Sequence, residues 1–185
     1  MPVITVIAGP NGSGKSTITS LLTFEGRERL LDPDAVAKRI NPTDPSAAAI
    51  AAGREVLERT EEYVTTGMSF AMETTLASRR TVEKLREAQA VGFEIDFVFV
   101  ALSSPERNII RIVERVARGG HFVPDEDVRR RYARSMLNAV ELLRFADRTR
   151  VYDNSEYEAR LILTFQCGTL TWRADRLPLW AESLL

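Results

Sequence analysis

Residues 3–22 read VITVIAGPNGSGKSTITSLL, and this stretch decides the fold. Val3 to Ala8 is a short, β-branched, nearly continuous apolar run, the pattern of a strand buried on both faces of a parallel sheet. Gly9 to Ser16 then match G-x-x-x-x-G-K-[ST], and from Lys15 to Leu22 the pattern turns helical. Strand, glycine-rich loop and helix in this order make a phosphate cradle. The glycines let successive backbone N–H groups curl toward phosphate oxygens, and the helix start adds its partial positive charge. Lys15 is placed to reach β- and γ-phosphates and Ser16 to put a hydroxyl on Mg²⁺. Gly9, Asn11, Gly12, Ser13, Gly14, Lys15, Ser16 and Thr17 are therefore expected to bind ATP with Mg²⁺, Thr17 at the α-phosphate.

Working outward, strands and helices alternate. Arg29–Leu31 reads as a weak strand, followed by a helix from Pro33 to about Ile40. Pro45 opens a long Ala-rich helix ending near Gly67, and Ser69–Glu73 is the next strand. Ser78 caps a helix that stops at Gly92. Phe93–Leu102 is a second strongly apolar strand. Ser104-Pro105-Glu106 is a helix start with cap, Pro at N1 and an acid in the first turn; that helix runs to Arg118. A further helix spans Pro124 to about Ala146, and Thr149–Tyr152 is a strand. Ala159–Cys167 and Thr169–Arg173 form a hairpin turning at Gly168. This order predicts one α/β domain over residues 1–185, a three-layer P-loop sandwich with a mostly parallel sheet and a C-terminal β-hairpin.

Bulk properties exclude several classes. The 185 residues, 44% apolar and 28% charged, fit one soluble domain. A net charge of −1 argues against a nucleic-acid or anionic-membrane partner. No run reaches the length of a membrane span, and MPVITVIAG lacks the basic start of a signal peptide, so a cytoplasmic enzyme is expected. The single cysteine, Cys167, excludes an internal disulfide; lying in an apolar run, it reads as a buried thiol.

The type of P-loop protein follows from what is missing. The strong strand over 93–102 ends in Ser103-Ser104 with no acid for metal and water. Neither a Leu-Ser-Gly-Gly signature nor an Asn-Lys-x-Asp motif occurs. Carboxylates must come from elsewhere, and Asp32-Pro33-Asp34 ends the strand after the P-loop helix, at the sheet edge where ligands gather. Two carboxylates there can divide the work: one holds Mg²⁺ water and the other takes a proton from an acceptor hydroxyl. Either alone serves equally as a helix cap. Glu73, before Thr74 and Thr75, is a third carboxylate expected at that edge, with a turn cap as its plain alternative.

Arg107, Arg111, Arg115 and Arg118 share one helix face and run into Gly119-Gly120-His121, with Arg129, Arg130, Arg131 and Arg134 beyond. Two arginine-bearing helices about a glycine break suggest a lid over residues 105–135 that brings cations to transferring phosphate. Arg115, Arg118 and Arg131 are the candidates, while some of the stripe is plain solvated surface. His121 is either a phosphate-orienting group or a loop cap. Asn154, after the last parallel strand, either contacts adenine or forms a turn.

Together GPNGSGKST, LDPDAVAKRINP, FAMETTL, RVARGGHFVPDEDVRRRYARS and VYDNS, in this order, resemble the zeta-toxin-like P-loop kinases, above all their small stand-alone bacterial members; the likeness runs from Val3 to Ser155. The resemblance implies an ATP-dependent phosphotransferase acting on a hydroxyl of a small molecule. In the best-known members this is the 3′-hydroxyl of a UDP-N-acetyl amino sugar, with an antitoxin as protein partner. It implies phosphate binding by Lys15, Asp34 as the base on the acceptor, and Asp32 as the lesser candidate, left to the metal. Glu73 with Thr75 and Arg131 would lie on the substrate side, and Arg115 and Arg118 would neutralise phosphate. The chain is shorter than the larger toxins, and the Gly-Gly-His segment marks the small members, whose acceptor the likeness does not fix. A nucleotide-controlled binding module with little turnover is the competing class.

Overall fold

The computed structural model describes residues 1–120 and 122–185. Among them, seven strands form one sheet: β1 (Val3–Ala8), β2 (Leu30–Leu31), β3 (Phe70–Thr74), β4 (Glu94–Ala101), β5 (Arg148–Asp153), β6 (Arg160–Gln166) and β7 (Thr169–Arg173), in the order β2-β3-β1-β4-β5-β6-β7. The first five are parallel, and β6 and β7 add antiparallel at one edge. Six helices connect them: α1 (Lys15–Leu21), α2 (Pro33–Ile40), α3 (Ala49–Thr66), α4 (Arg79–Ala90), α5 (Pro105–Ala117) and α6 (Asp125–Leu143). This is the α/β sandwich that the alternation of patterns predicts.

The three layers follow from the period of two along buried strands. All six residues of β1 are buried. Ile4 and Val6, with Phe97 and Phe99 of β4, pack against Leu85 of α4 and Leu142 of α6. Ile7, Val98 and Val100 face the other way and meet Ile18 of α1. Each large side chain so buried contributes about 1.5–3 kcal/mol, enough to hold β1 and β4 rigid beneath the loops at their carboxyl ends.

Local chemistry sets the element ends. Asp32 caps α2 by accepting from the Asp34 backbone N–H, with Pro33 at the first helical position. Ser104 caps α5 in the same way, over Pro105. Gly67 closes α3 at φ 65°. Cys167 and Gly168 make the two-residue turn between β6 and β7 with φ of 46° and 73°, the primed type whose twist matches the strands it joins.

Several expectations are corrected. Cys167 is exposed rather than buried, because the tight turn lifts it off the sheet. The long helix starts at Ala49, since Pro45–Ala48 forms a turn held by the Asp44 carboxylate accepting from Ser46 and Ala47. A short 3₁₀ segment, Leu179–Leu184, was not anticipated; its Trp180 packs edge-on to Phe99 at 6.4 Å and donates to the Asp153 carboxylate. His121 lies outside the described residues.

Candidate active site

The loop after β1 takes a shape that only glycine permits at three places. Gly9 has φ 153°, and a Cβ there would stand 2.0 Å from the Val100 carbonyl oxygen of β4. At Gly12, φ 76°, it would meet the Asn108 carbonyl oxygen at 2.8 Å. At Gly14, φ 94°, it would meet Asn154 Nδ2 at 2.2 Å.

Side chains from two other regions brace the loop. Asn108 of α5 donates to the Asn11 carbonyl at 2.6 Å, and Asn154 after β5 donates to the Ser13 carbonyl at 2.8 Å. In a trans peptide the N–H points away from the preceding C=O. These bonds therefore fix the orientation of the Asn11–Gly12 and Ser13–Gly14 peptides, and with it that of the Gly12 and Gly14 N–H groups. Arg131 of α6 adds a bond to Asn11 Oδ1 at 3.3 Å. Lys15 folds back across the loop, its Nζ donating to the carbonyls of Gly9 and Pro10 at 3.0 and 3.2 Å. Burial holds the Lys15 pKa below its usual value, against the opposing pull of Glu73, Asp34 and Asp32. An ammonium so placed is under-solvated and suited to an anionic ligand.

The three carboxylates reach the same cleft with different commitments. Glu73 pairs in register with Ile7 of β1, which sets it beside α1. One oxygen accepts from the Ser16 hydroxyl at 2.9 Å and the other from Thr19 at 3.1 Å. Burial raises its pKa, with Asp32 adding to the rise and Lys15 opposing it. Asp32 is engaged as the α2 cap; burial raises its pKa too, and the negative charge of Asp34 adds to this. Asp34, on the first turn of α2, is exposed, and its carboxylate has no hydrogen-bond or ion-pair partner among the described residues.

These groups line one open cleft of about 690 Å³, with Asn11, Gly12, Gly14, Ser16, Thr17 and Thr75 on its walls. Arg115, Arg118 and Arg131 line it as well, together with Arg111, Glu114 and Asn154. The arginine stripe divides. Arg107 donates to the Ser155 carbonyl at 2.6 Å, and Arg111 to the Asn154 and Glu156 carbonyls at 2.7 and 3.2 Å. These two tie α5 to the chain after β5. Arg129 is paired with Glu106, and Arg130 with Asp127 at 2.7 Å. The side-chain nitrogen of Asn154, a residue offered either to adenine or to a turn, donates to the P-loop carbonyl of Ser13 while the residue lines the cleft.

Sequence reasoning missed Thr19, which shares Glu73, and Asn108. The available signal for Asn108 was a polar residue four before Ile112 on the buried side of α5, where both are enclosed.

The geometry fits a magnesium–nucleotide. Among the described residues, no three His, Cys, Asp or Glu side chains gather to hold a metal alone. Mg²⁺ accepts such a site, because it is commonly held by one or two protein ligands together with substrate phosphates. Ser16, Asp32 and Glu73 are the oxygen donors at hand beside the cradle. No helix among the described residues is long and apolar enough to cross a membrane.

The family model for zeta toxins matches residues 1–162 of this chain. The chain belongs to the zeta toxin family. This family member is 34% identical over 124 residues to an uncharacterised protein of Haemophilus influenzae, covering 67% of this chain and 88% of that one. All of it superimposes on the PezAT chromosomal toxin–antitoxin system of Streptococcus pneumoniae with a TM-score of 0.64 at 13% identity, covering 77% of that chain. It also superimposes on the AvrRxo1-ORF1:AvrRxo1-ORF2 complex with sulphate ions, at TM-score 0.73 and 11% identity. There it spans 64% of the length of the matched chain. The structural likenesses establish a shared fold. Membership of the family sets this chain among nucleotide-binding phosphotransferases of P-loop type.

Proposed function

We propose that the protein is a magnesium- and ATP-dependent kinase that transfers the γ-phosphoryl group to a hydroxyl of a small molecule. The observation that carries this reading is the difference between the carboxylates. Glu73 and Asp32 are committed to Ser16, Thr19 and a helix cap, while Asp34 stands uncommitted in the same cleft as Lys15. Asp34 is the base: it takes the proton from the acceptor hydroxyl as that oxygen bonds to the γ-phosphorus and the bond to the β-bridging oxygen breaks, leaving ADP. Lys15 and the loop N–H groups hold the phosphate chain. Arg115, Arg118 and Arg131 supply positive charge for the transferring group. Residues 105–135 act as the lid, and Glu73, Thr75 and Arg131 lie on the acceptor side. Ser16 and Asp32 would hold Mg²⁺, which when bound would supply neutralising charge to the phosphate chain.

Incubation with Mg-ATP and a panel of hydroxylated metabolites, UDP-N-acetylglucosamine among them, is expected to yield ADP and one acceptor-dependent phosphomonoester. Lys15→Ala and Asp34→Asn are expected to lose that product. ATP consumption without any acceptor-dependent product sinks the reading.

A second reading concerns a protein partner. Ile110, Val113 and Val116 of α5 are exposed, on the helix that also carries Arg115. An antitoxin-like protein seated on this ridge would control the cleft. Co-purification with a small protein encoded beside it, abolished by Ile110→Asp with Val113→Asp, is the expected result.

A further inference from the structure

Two hollows adjoin behind the β3–α4 connection, away from the P-loop. One, of about 270 Å³, lies between α3, α4 and the sheet and is walled by Val56, Leu57, Phe70, Met72 and Leu85. The other, of about 440 Å³, is bounded by Arg79, Arg80, Arg134 and Asn138. Ser78 and Arg80 line both. The first is mainly apolar, its one further cation, Lys84, being paired with Glu61; the second is cationic, and Arg80 stands at their junction.

The charges in the second hollow are unbalanced. Arg79 is paired with Glu83 at 3.4 Å. Arg80 and Arg134 have no carboxylate partner among the described residues. Ser78 stands at the cap of α4 without a side-chain cap bond, which leaves its hydroxyl unused, among the described residues, at the edge of both hollows. The connection itself is held in shape. Leu76, fully buried, sits at φ 54°, with its N–H on Thr74 Oγ1 and its carbonyl on Asn138 of α6. A non-glycine residue in that conformation is strained, and two hydrogen bonds fix it where it sets Ser78 and Arg80 between the hollows. On the apolar side, a Cβ at Gly53 of α3 would meet nothing within 4 Å, so the helix wall is cut back there.

We propose that these hollows form one binding site for an amphipathic anion: an apolar body in the first, and a carboxylate or phosphate head on Arg80 and Arg134 in the second. At roughly 30 Å³ per water-sized group, the apolar hollow has room for about nine such groups, enough for the body of an eight-carbon chain. The site shares no lining residue with the nucleotide cleft, although Arg134 stands one turn from Arg131 on α6, and it does not rest on the kinase reading.

Calorimetric titration of the full chain with octanoate, octyl phosphate and octanol tests this, with and without saturating Mg²⁺ and a non-hydrolysable ATP analogue. At least one anion is expected to bind one-to-one, about tenfold or more tighter than octanol, whether or not nucleotide is present; which anion wins names the head group. Arg80→Ala with Arg134→Ala is expected to erase the advantage over octanol. Gly53→Leu, which fills the apolar hollow from an exposed helix position and favours the helix, is expected to weaken all three at least tenfold. The proposal is overturned if neither anion binds at millimolar concentration, if octanol binds equally well, if nucleotide displaces the anion, or if folded variants bind like the wild type.

Discussion

The two walls of the nucleotide cleft differ in how they are held. The P-loop wall is clamped from behind: Asn108 and Asn154 grip its carbonyls, and Arg107 and Arg111 lash the supporting helix to the chain after β5. The rest of the lining carries exposed Asp34 on the first turn of α2 and exposed Arg118 just past the end of α5. A cradle for a fixed triphosphate gains from rigidity, because preorganised donors need no rearrangement. A wall that meets an incoming acceptor must stay open. The difference teaches that residue type alone does not assign a role here. Arg107 and Arg118 have the same chemistry on one helix, and the partners each finds separate them.

The sharpest break of this contrast is at Asp34. Asp34→Asn keeps the backbone N–H that Asp32 caps, so stability is expected to stay within about 0.5 kcal/mol of wild type. The rate of phosphoryl transfer is expected to fall about 10²- to 10⁴-fold, with Mg-ATP affinity unchanged. Steady-state kinetics and calorimetry on the same preparation check it; an unaltered kcat removes Asp34 from the role of base.

On the clamped wall the pattern reverses. Asn108→Leu removes a buried donor from the Asn11 carbonyl, and leaving a buried group unpaired costs about 1–3 kcal/mol. The expected result is a Tm lower by several degrees and weaker Mg-ATP binding, with kcat at saturating nucleotide falling less than threefold. A large loss of kcat at unchanged nucleotide affinity contradicts the division between walls.

The two ends of α5 give the next test. Arg118→Ala is expected to reduce kcat about tenfold at wild-type Tm. Arg107→Ala loses one bond to the Ser155 carbonyl, worth about 1 kcal/mol, which in a chain of this size shifts Tm by about 2–4 °C, and should leave kcat alone. Equal effects of the two on rate make the whole stripe a phosphate contact.

Much of this was legible in the sequence where a local rule is strong. The buried strand before Gly9, the proline-initiated helices at Pro33 and Pro105, and the glycine stop at Gly67 each state their structure within a few residues. The meeting of Lys15, Asp34 and Glu73 at one edge followed from the parallel sheet, whereas the order of the strands within it is set by the fold. What stayed hidden depends on contacts between distant segments. Asn108 reaches Asn11 across 97 positions, and no periodicity marks such a pair. Cys167 is exposed because the turn takes it in together with Gly168, one residue earlier than the glycine marks. The place of Trp180 on Phe99 is decided by the sheet, not by its neighbours in sequence.

The smallest effect on stability concerns Glu73, whose partners are Ser16 and Thr19 of α1. Burial raises its pKa above 4.5, so the folded state holds this proton more tightly than the unfolded chain does. By linkage, the carboxylate's contribution to stability falls as pH rises from about 4.5 through the folded pKa, and the full cost is present above that window. Asp32 moves in the same direction from 3.8. Glu73→Gln keeps an acceptor for Ser16 or Thr19 but removes the charge, so at pH 7 its Tm is expected to equal or slightly exceed that of wild type. The difference should shrink toward pH 4.5, where the wild-type side chain takes up its proton. Catalysis should weaken about tenfold even so, because the ionised carboxylate orients the Ser16 hydroxyl and fixes α1 against β3. Thermal melts of both proteins between pH 4.5 and 8 decide the matter. A Tm several degrees below wild type at neutral pH would mean that the bonds to Ser16 and Thr19 outweigh the desolvation of the charge, and Glu73 would then belong with the clamps.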